Sequence, residues 1–195
     1  MILAIGITAT IGAAIASMMA AVSNGLTSRD DGRRTAVQLA TTQVRLAAYI
    51  APSRCVLDKS DSAITIWFDD NRESNTVHAS EIRWFEFDDF NNTFVVKFVD
   101  FPETWSQSMI DAADIECNEL TNYVSLLATL ESLQLINAFN LIDAMDTCSI
   151  WTDDSNHQAA IRICIRFSLQ TRFGGTSDAL IDESIRQHLP PQEQQ

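Results

Sequence analysis

The chain has 195 residues, a formal net charge of −13 and a sequence pI near 4.4. Acidity of that size excludes DNA and RNA as partners, because phosphate binding needs clustered Lys and Arg. It also disfavours docking on anionic lipid head groups.

Charge is distributed unevenly. The first charged side chain is Arg29, and everything before it is apolar, small or hydroxylated. Met1 to Val22 is long enough as a helix to span roughly 30 Å, the thickness of a bilayer core. Gly6, Gly12 and the alanines leave a surface on which another helix can pack closely. Thr8, Thr10 and Ser17 can bond back to their own helix carbonyls. No basic n-region precedes the segment, so it does not read as a cleaved secretory signal. A single membrane anchor fits best. Arg29, Arg33 and Arg34 follow it, which inverts the usual charge bias for a head outside the cytoplasm.

Helical spacing continues past the anchor. Ala36, Val37, Leu39, Ala40, Val44, Ala47 and Ala48 recur at helical intervals, and Pro52 ends the run. The pattern predicts one helix over residues 1–50, about 75 Å long. Its first half is greasy all round, and its second half packs on the head that follows.

The residues Met1-Ile2-Leu3-Ala4-Ile5-Gly6-Ile7, continuing through Ala13-Ala14-Ile15-Ala16, resemble the N-terminal helix of type IV pilins and type II secretion pseudopilins. Leu141-Ile142-Asp143-Ala144-Met145 leads into Ser149-Ile150-Trp151-Thr152-Asp153-Asp154. Together with the strand Ala160 to Phe167, it is loosely similar to the J-type minor pseudopilin. The resemblance implies a pilin-like α+β fold, with a half-transmembrane N-terminal helix packed on an antiparallel sheet with additional helices. It places Met1, Ile2, Leu3, Ala4, Ile5, Gly6, Ile7, Gly12, Ile15 and Val22 in a membrane and filament helix. It also implies an inner-membrane, single-pass protein with an extracytoplasmic head. Its partners would be other pilin or pseudopilin subunits, the membrane and secreted protein substrate. In the family's register, Met1 would sit just after the family's glutamate. The basic leader, cleavage site and methylated first residue would then lie upstream of Met1. The alternative is a single-pass anchored binding module without a filament.

The head is expected over residues 51–188, with a disordered tail at 189–195. Ala63 to Phe68 and Glu81 to Phe87 read as strands. Asn91-Asn92 is a hairpin turn, and Thr93 to Val99 returns antiparallel. Pro102 to Phe139 changes to helical spacing and suits one or two amphipathic helices. Ser149 to Trp151 and Ile161 to Leu169 form a second hairpin. Residues 174–188 are ambiguous. Trp67, Trp84, Trp105 and Trp151 are expected in the core.

No enzymatic chemistry is legible, and no cofactor or metal is expected. Asp69-Asp70-Asn71-Arg72-Glu73 and Asp153-Asp154-Ser155-Asn156 offer oxygen ligands, but neither forms an EF-hand loop, so both read as solvated turns. Asp88-Asp89 reads likewise. His78, His157 and His188 are not spaced as a zinc site, and no nucleophile elbow accompanies them. Gly174-Gly175 stands alone, without a phosphate loop. The four cysteines, Cys55, Cys117, Cys148 and Cys164, include no CxxC pair. They are either buried reduced thiols or disulfide partners outside the cytoplasm. A hairpin loop centred near Asn156 would set Cys148 opposite Cys164, within reach of a disulfide.

Overall fold

The structure is a computed structural model that describes residues 19, 33–72, 76–118, 120–171 and 175–191. Met19 is helical and exposed. The other residues expected in the membrane helix, among them Met1 to Ile7, Gly12, Ile15 and Val22, lie outside the described residues.

The expected pilin-like α+β architecture, with its long N-terminal helix on the sheet, is overturned. Among the described residues, strand accounts for 41% and helix for 27%, so the body is mostly β-sheet. There are three α-helices among the described residues, and none is long and apolar enough to cross a membrane. The first, α1, covers residues 33–50 and stops ahead of Pro52, as the backbone restriction before proline requires.

Five strands form the main antiparallel sheet in the order β1-β2-β4-β5-β7: Cys55–Lys59, Ala63–Trp67, Ile82–Asp88, Thr93–Val99 and Ile136–Asp143. Three more, in the order β10-β9-β8, form a second sheet: Thr176–Ser184, Arg162–Gln170 and Met145–Thr152. A small ladder joins β3 (Val77–His78) to β6 (Glu116–Cys117). The remaining helices are α2 (Gln107–Ala113) and α3 (Tyr123–Ser132), the latter capped by the Asn122 side chain, which accepts from the Ser125 N–H.

Alternation along the strands places apolar residues on both faces of the main sheet. On one face, Val56, Ile64, Ile66, Phe85, Phe94 and Val96 meet Leu46 and Ile50 of α1, and Ile163, Ile165 and Phe167 of the second sheet. On the other, Cys55, Leu57, Trp67 and Trp84 meet Leu126 and Leu130 of α3. The chain crosses between the two large sheets at one residue, Ala144, which takes a left-handed φ of 58°.

Several expectations change in detail. The β4–β5 hairpin forms where expected, with Asn92 at a φ of 54°. Ile136 to Phe139 is strand rather than helix, because Gln134, at a φ of 58°, turns the chain out of α3. The ambiguous stretch supplies β10. Leu189 N–H donates to Arg54 O, so the expected tail begins tied to the head. Trp67 and Trp84 are buried, Trp105 packs at the core's margin, and Trp151 is 40% exposed.

Candidate functional site

Helix α1 has two apolar faces. Thr42 (1% exposed), Leu46 (0%) and Ile50 turn inward, with Leu39 and Tyr49 packed beside them. Ala36, Val37, Ala40, Val44 and Ala48 turn outward and are exposed. This corrects the expected packing: most of the stripe assigned to the head-facing side is the side turned away from it. At 100° per residue, Val37, Val44 and Ala48 lie within about 20° of one line, and Leu46 lies directly opposite. The outward face is smooth, with no side chain larger than valine on that line.

The helix carries Arg33, Arg34 and Arg45 and no acidic residue. Among the described residues, Arg72, Arg162 and Arg166 are the ion-paired arginines. Arg33, Arg34, Arg45, Arg54 and Arg186 make no ion pair with a described residue. Three of these five are on α1, and Arg54 and Arg186 line the groove at its C-terminal end with Ala51 and Phe68. Among the described residues, five of the seven Lys and Arg side chains without an ion pair therefore lie on or at the end of one helix, the other two being Lys59 and Arg83.

Beside α1 the main sheet ends in an aromatic shelf. Phe98 and Phe139 stack with centroids 5.8 Å apart. The Arg83 guanidinium sits 4.9 Å from the Phe68 centroid and 5.3 Å from that of Phe98, within cation–π range. Arg83 also donates to the carbonyls of Ser80 (3.0 Å) and Ile82 (2.8 Å), which fixes it over the rings. Burial lowers its pKa. A second groove, between Arg45, Ala48, Tyr49 and Phe139, separates the shelf from the helix.

The acidic turns are occupied with local structure. Asp153 Oδ1 accepts from the N–H groups of Ile161 and Arg162, both at 3.0 Å. Asp154 Oδ1 accepts from Asn156 N–H, and Asp69 Oδ1 from Asp70 N–H. Asp88 holds its hairpin through Phe90, Asn91 and the Asn91 side chain, bonds that lower its pKa. His157 opens a short 3-10 turn, and His188 Nε2 lies 2.8 Å from Gln158 O. His78 Nδ1 is 3.5 Å from Asp114 O. Among the described residues no cluster of three or more His, Cys, Asp or Glu side chains is arranged to hold a metal.

The buried carboxylates were not singled out by sequence, since nothing in their spacing marks them. Glu81 is fully buried and accepts from Trp67 Nε1 (3.1 Å), His78 N–H (3.1 Å) and Arg72 N–H (3.2 Å). Asp114 accepts from Ser80 N–H and Oγ–H and pairs with Arg72 Nε at 3.0 Å. This network pins the β3–β6 ladder to the main sheet.

The expected pairing of Cys148 with Cys164 is corrected by the register. Cys148 stands opposite Phe167 and Cys164 opposite Trp151. The 3-10 turn at His157–Ala159 lengthens the loop and moves its centre. The offset is odd, so the two thiols point to opposite faces of the sheet. All four cysteines are free. Burial pushes the thiols of Cys55, Cys117 and Cys148 up to about 12, and raises Cys164 with help from Asp182. A reactive thiolate needs the opposite shift.

No protein-family model matches the chain, and neither a curated protein nor a solved structure matches it.

Proposed function

We propose that this chain is a structural subunit of a pilus or type II secretion pseudopilus. Residues 1–22 hold it in the inner membrane as a single pass, with the head on the extracytoplasmic side. The observation that supports this most is the double-faced helix α1. One face is spent on the head through Leu46 and Ile50. The other presents Val37, Ala40, Val44 and Ala48, small and apolar, to the surroundings. A helix that is apolar on both sides suits two partners, its own head and another helix. Close approach of a second helix is easiest where the contact residues are small. The segment N-terminal to α1 has the composition that extends such a contact into a bilayer.

The test is fractionation and assembly of the full chain in a bacterial host. It is expected in the inner-membrane fraction, with copies cross-linking to one another through positions 37, 40, 44 and 48. Removing residues 1–28 should release it. A full chain that stays soluble overturns the anchor. A chain that is membrane-bound but never contacts a second subunit supports the second reading, an anchored binding module. The groove bounded by Arg45, Tyr49 and Phe139 favours that reading, since it offers a charged group beside an aromatic wall.

A further inference from the structure

The β4–β5 hairpin ends in an aromatic knob. Asp88 and Thr93 close its ladder, and Phe90 stands at the tip, 90% exposed. It is the most exposed aromatic ring among the described residues, ahead of Phe139 and Trp151. The knob is held rigid from below. Asp88 Oδ1 accepts from the N–H groups of Phe90 and Asn91, both at 3.0 Å, and Asp88 Oδ2 accepts from Asn91 Nδ2 at 2.6 Å. Little conformational freedom is left to lose when the tip is bound, which favours binding. Asp89 beside it is exposed, and its side chain makes no hydrogen bond or ion pair with a described residue. The tip thus presents a phenyl ring next to a carboxylate that the turn does not use.

The groove between α1 and β7 has the complementary chemistry. It is lined by Arg45, Ala48, Tyr49, Phe139, Asn140 and Leu141 and holds about 500 Å³, more than one phenyl ring fills. Its two rings are fixed: Tyr49 meets Phe85 edge-on at 5.6 Å, and Phe139 stacks on Phe98. Aromatic rings attract a further ring in stacked or edge-to-face geometry. Arg45 is exposed and makes no ion pair with a described residue. The rest of α1 offers it no carboxylate. Asp143, at the end of β7, lies at the level of Gln38, whose Nε2 donates to its carbonyl (2.9 Å). Gln38 is two helical turns, about 10 Å, from Arg45.

The knob cannot fill the groove of its own chain. Thr93 stands opposite Asp143, whereas Phe139 stands opposite Val96. The ladder therefore holds the tip beyond a point already roughly 13 Å along β7 from Phe139. Asn92 O is tied there by Met145 N–H (2.9 Å).

We infer that the β4–β5 tip of one copy seats in the α1–β7 groove of a second copy, with Phe90 between Tyr49 and Phe139 and the Asp89 carboxylate on the Arg45 guanidinium. The inference rests on the filament reading and deepens it by naming a contact between heads. Knob and groove are different surfaces of one chain, so the contact is heterologous and propagates unless it closes into a ring. The ring supplies an aromatic anchor, and the ion pair sets its orientation.

The test uses the full chain in membranes, with a photoreactive phenylalanine replacing Phe90 and isotopically light and heavy chains mixed. Cross-links are expected from position 90 of one copy to residues 45–49 or 139–141 of another. Cross-links to other parts of a second copy, to a different protein or to nothing overturn the inference. In the same chains, Asp89→Arg alone and Arg45→Asp alone should each lower the yield of this cross-link about tenfold, and the double variant should restore it. Loss of folding would not be rescued in this way. Single variants that cross-link like the unaltered chain, or a double variant that stays low, also overturn it. If position 90 fails while copies still cross-link through positions 37, 40, 44 and 48, the hairpin contact is wrong and helix-driven assembly stands. If copies never cross-link at any of these positions, both fall.

Discussion

The indole of Trp67 donates to Glu81 inside the protein, Nε1 to Oε2 at 3.1 Å, where neither side chain reaches solvent. Two main-chain N–H groups, of Arg72 and His78, share the same carboxylate. Glu81→Ala strands the buried indole N–H and two part-buried main-chain N–H groups at once. The expected loss is about 3 kcal/mol or more, read from urea unfolding, because each unsatisfied buried group costs on the order of 1–3 kcal/mol. Trp67→Phe leaves the carboxylate two partners but also removes buried ring volume, so its loss mixes the two effects. A Glu81→Ala loss below about 0.5 kcal/mol would show that the network does not hold this end of the sheet.

The two faces of α1 separate stability from assembly. Leu46→Ala opens a cavity in the core and should cost roughly 2–5 kcal/mol. Val44→Ala, at a residue 70% exposed on the opposite side, should stay within about 0.5 kcal/mol. Val44→Asp should leave the head's unfolding midpoint nearly unchanged while reducing cross-linking between copies. Equal destabilisation by Leu46→Ala and Val44→Ala would mean that the inward face has been assigned to the wrong side.

Alkaline pH should weaken the fold through its buried thiols. Cys55, Cys117 and Cys148 are each raised from an ordinary 9.0 to about 12 by burial. The unfolded chain therefore loses these protons before the folded chain does. Stability is fully present below pH 9 and falls as pH rises from about 9 to about 12, by on the order of 1 kcal/mol per pH unit per thiol. Cys55→Ala should flatten the slope of the urea midpoint against pH relative to the unaltered chain. An unchanged slope would remove Cys55 as a contributor. Under native alkylation Cys164, the most open thiol of the four, should label first. A non-reducing peptide map should show no Cys148–Cys164 bridge.

Ala144 holds a φ of 58° where the chain passes between the two sheets. Its Cβ makes that conformation unfavourable by roughly 1–2 kcal/mol. Ala144→Gly should therefore raise the unfolding midpoint, by about 0.5–1 kcal/mol once glycine's greater unfolded freedom is set against the relief. A fall in stability would show that Gln170 N–H, which donates to Ala144 O at 2.8 Å, depends on the alanine.

The hairpin β4–β5 was legible because alternation and an Asn turn agree at every residue from Ile82 to Val99. The end of α1 was legible because proline acts through local sterics. The inward face of α1 was not. Its outward side is as apolar as its inward side, and one inward position is Thr42, so hydropathy pointed the wrong way. β7 was hidden because Leu133 to Leu135 prolong the helical spacing of α3. The residue that breaks it, Gln134, is neither glycine nor proline. Carboxylates on β10 masked its inward Ile181. The Cys148–Cys164 register failed on loop length, which alternation alone does not fix. The outward stripe of α1 was visible as a pattern, whereas the places of β7 and β10 at the ends of their sheets depend on which strands pair, a property of the assembled sheets.

Arg186 N–H donates to Ala51 O and Leu189 N–H to Arg54 O, so the segment after β10 is buttoned onto the segment that follows α1. A pull applied along α1 enters the head at this button. The load divides there between the β1–β2 ladder and residues 185–189, instead of peeling β1 away alone. Tension on a tethered head is thus shared by two routes from its first strand onward. Cutting the chain after Ser184 would leave the first sheet's ladder intact but lower the force at which it begins to unzip.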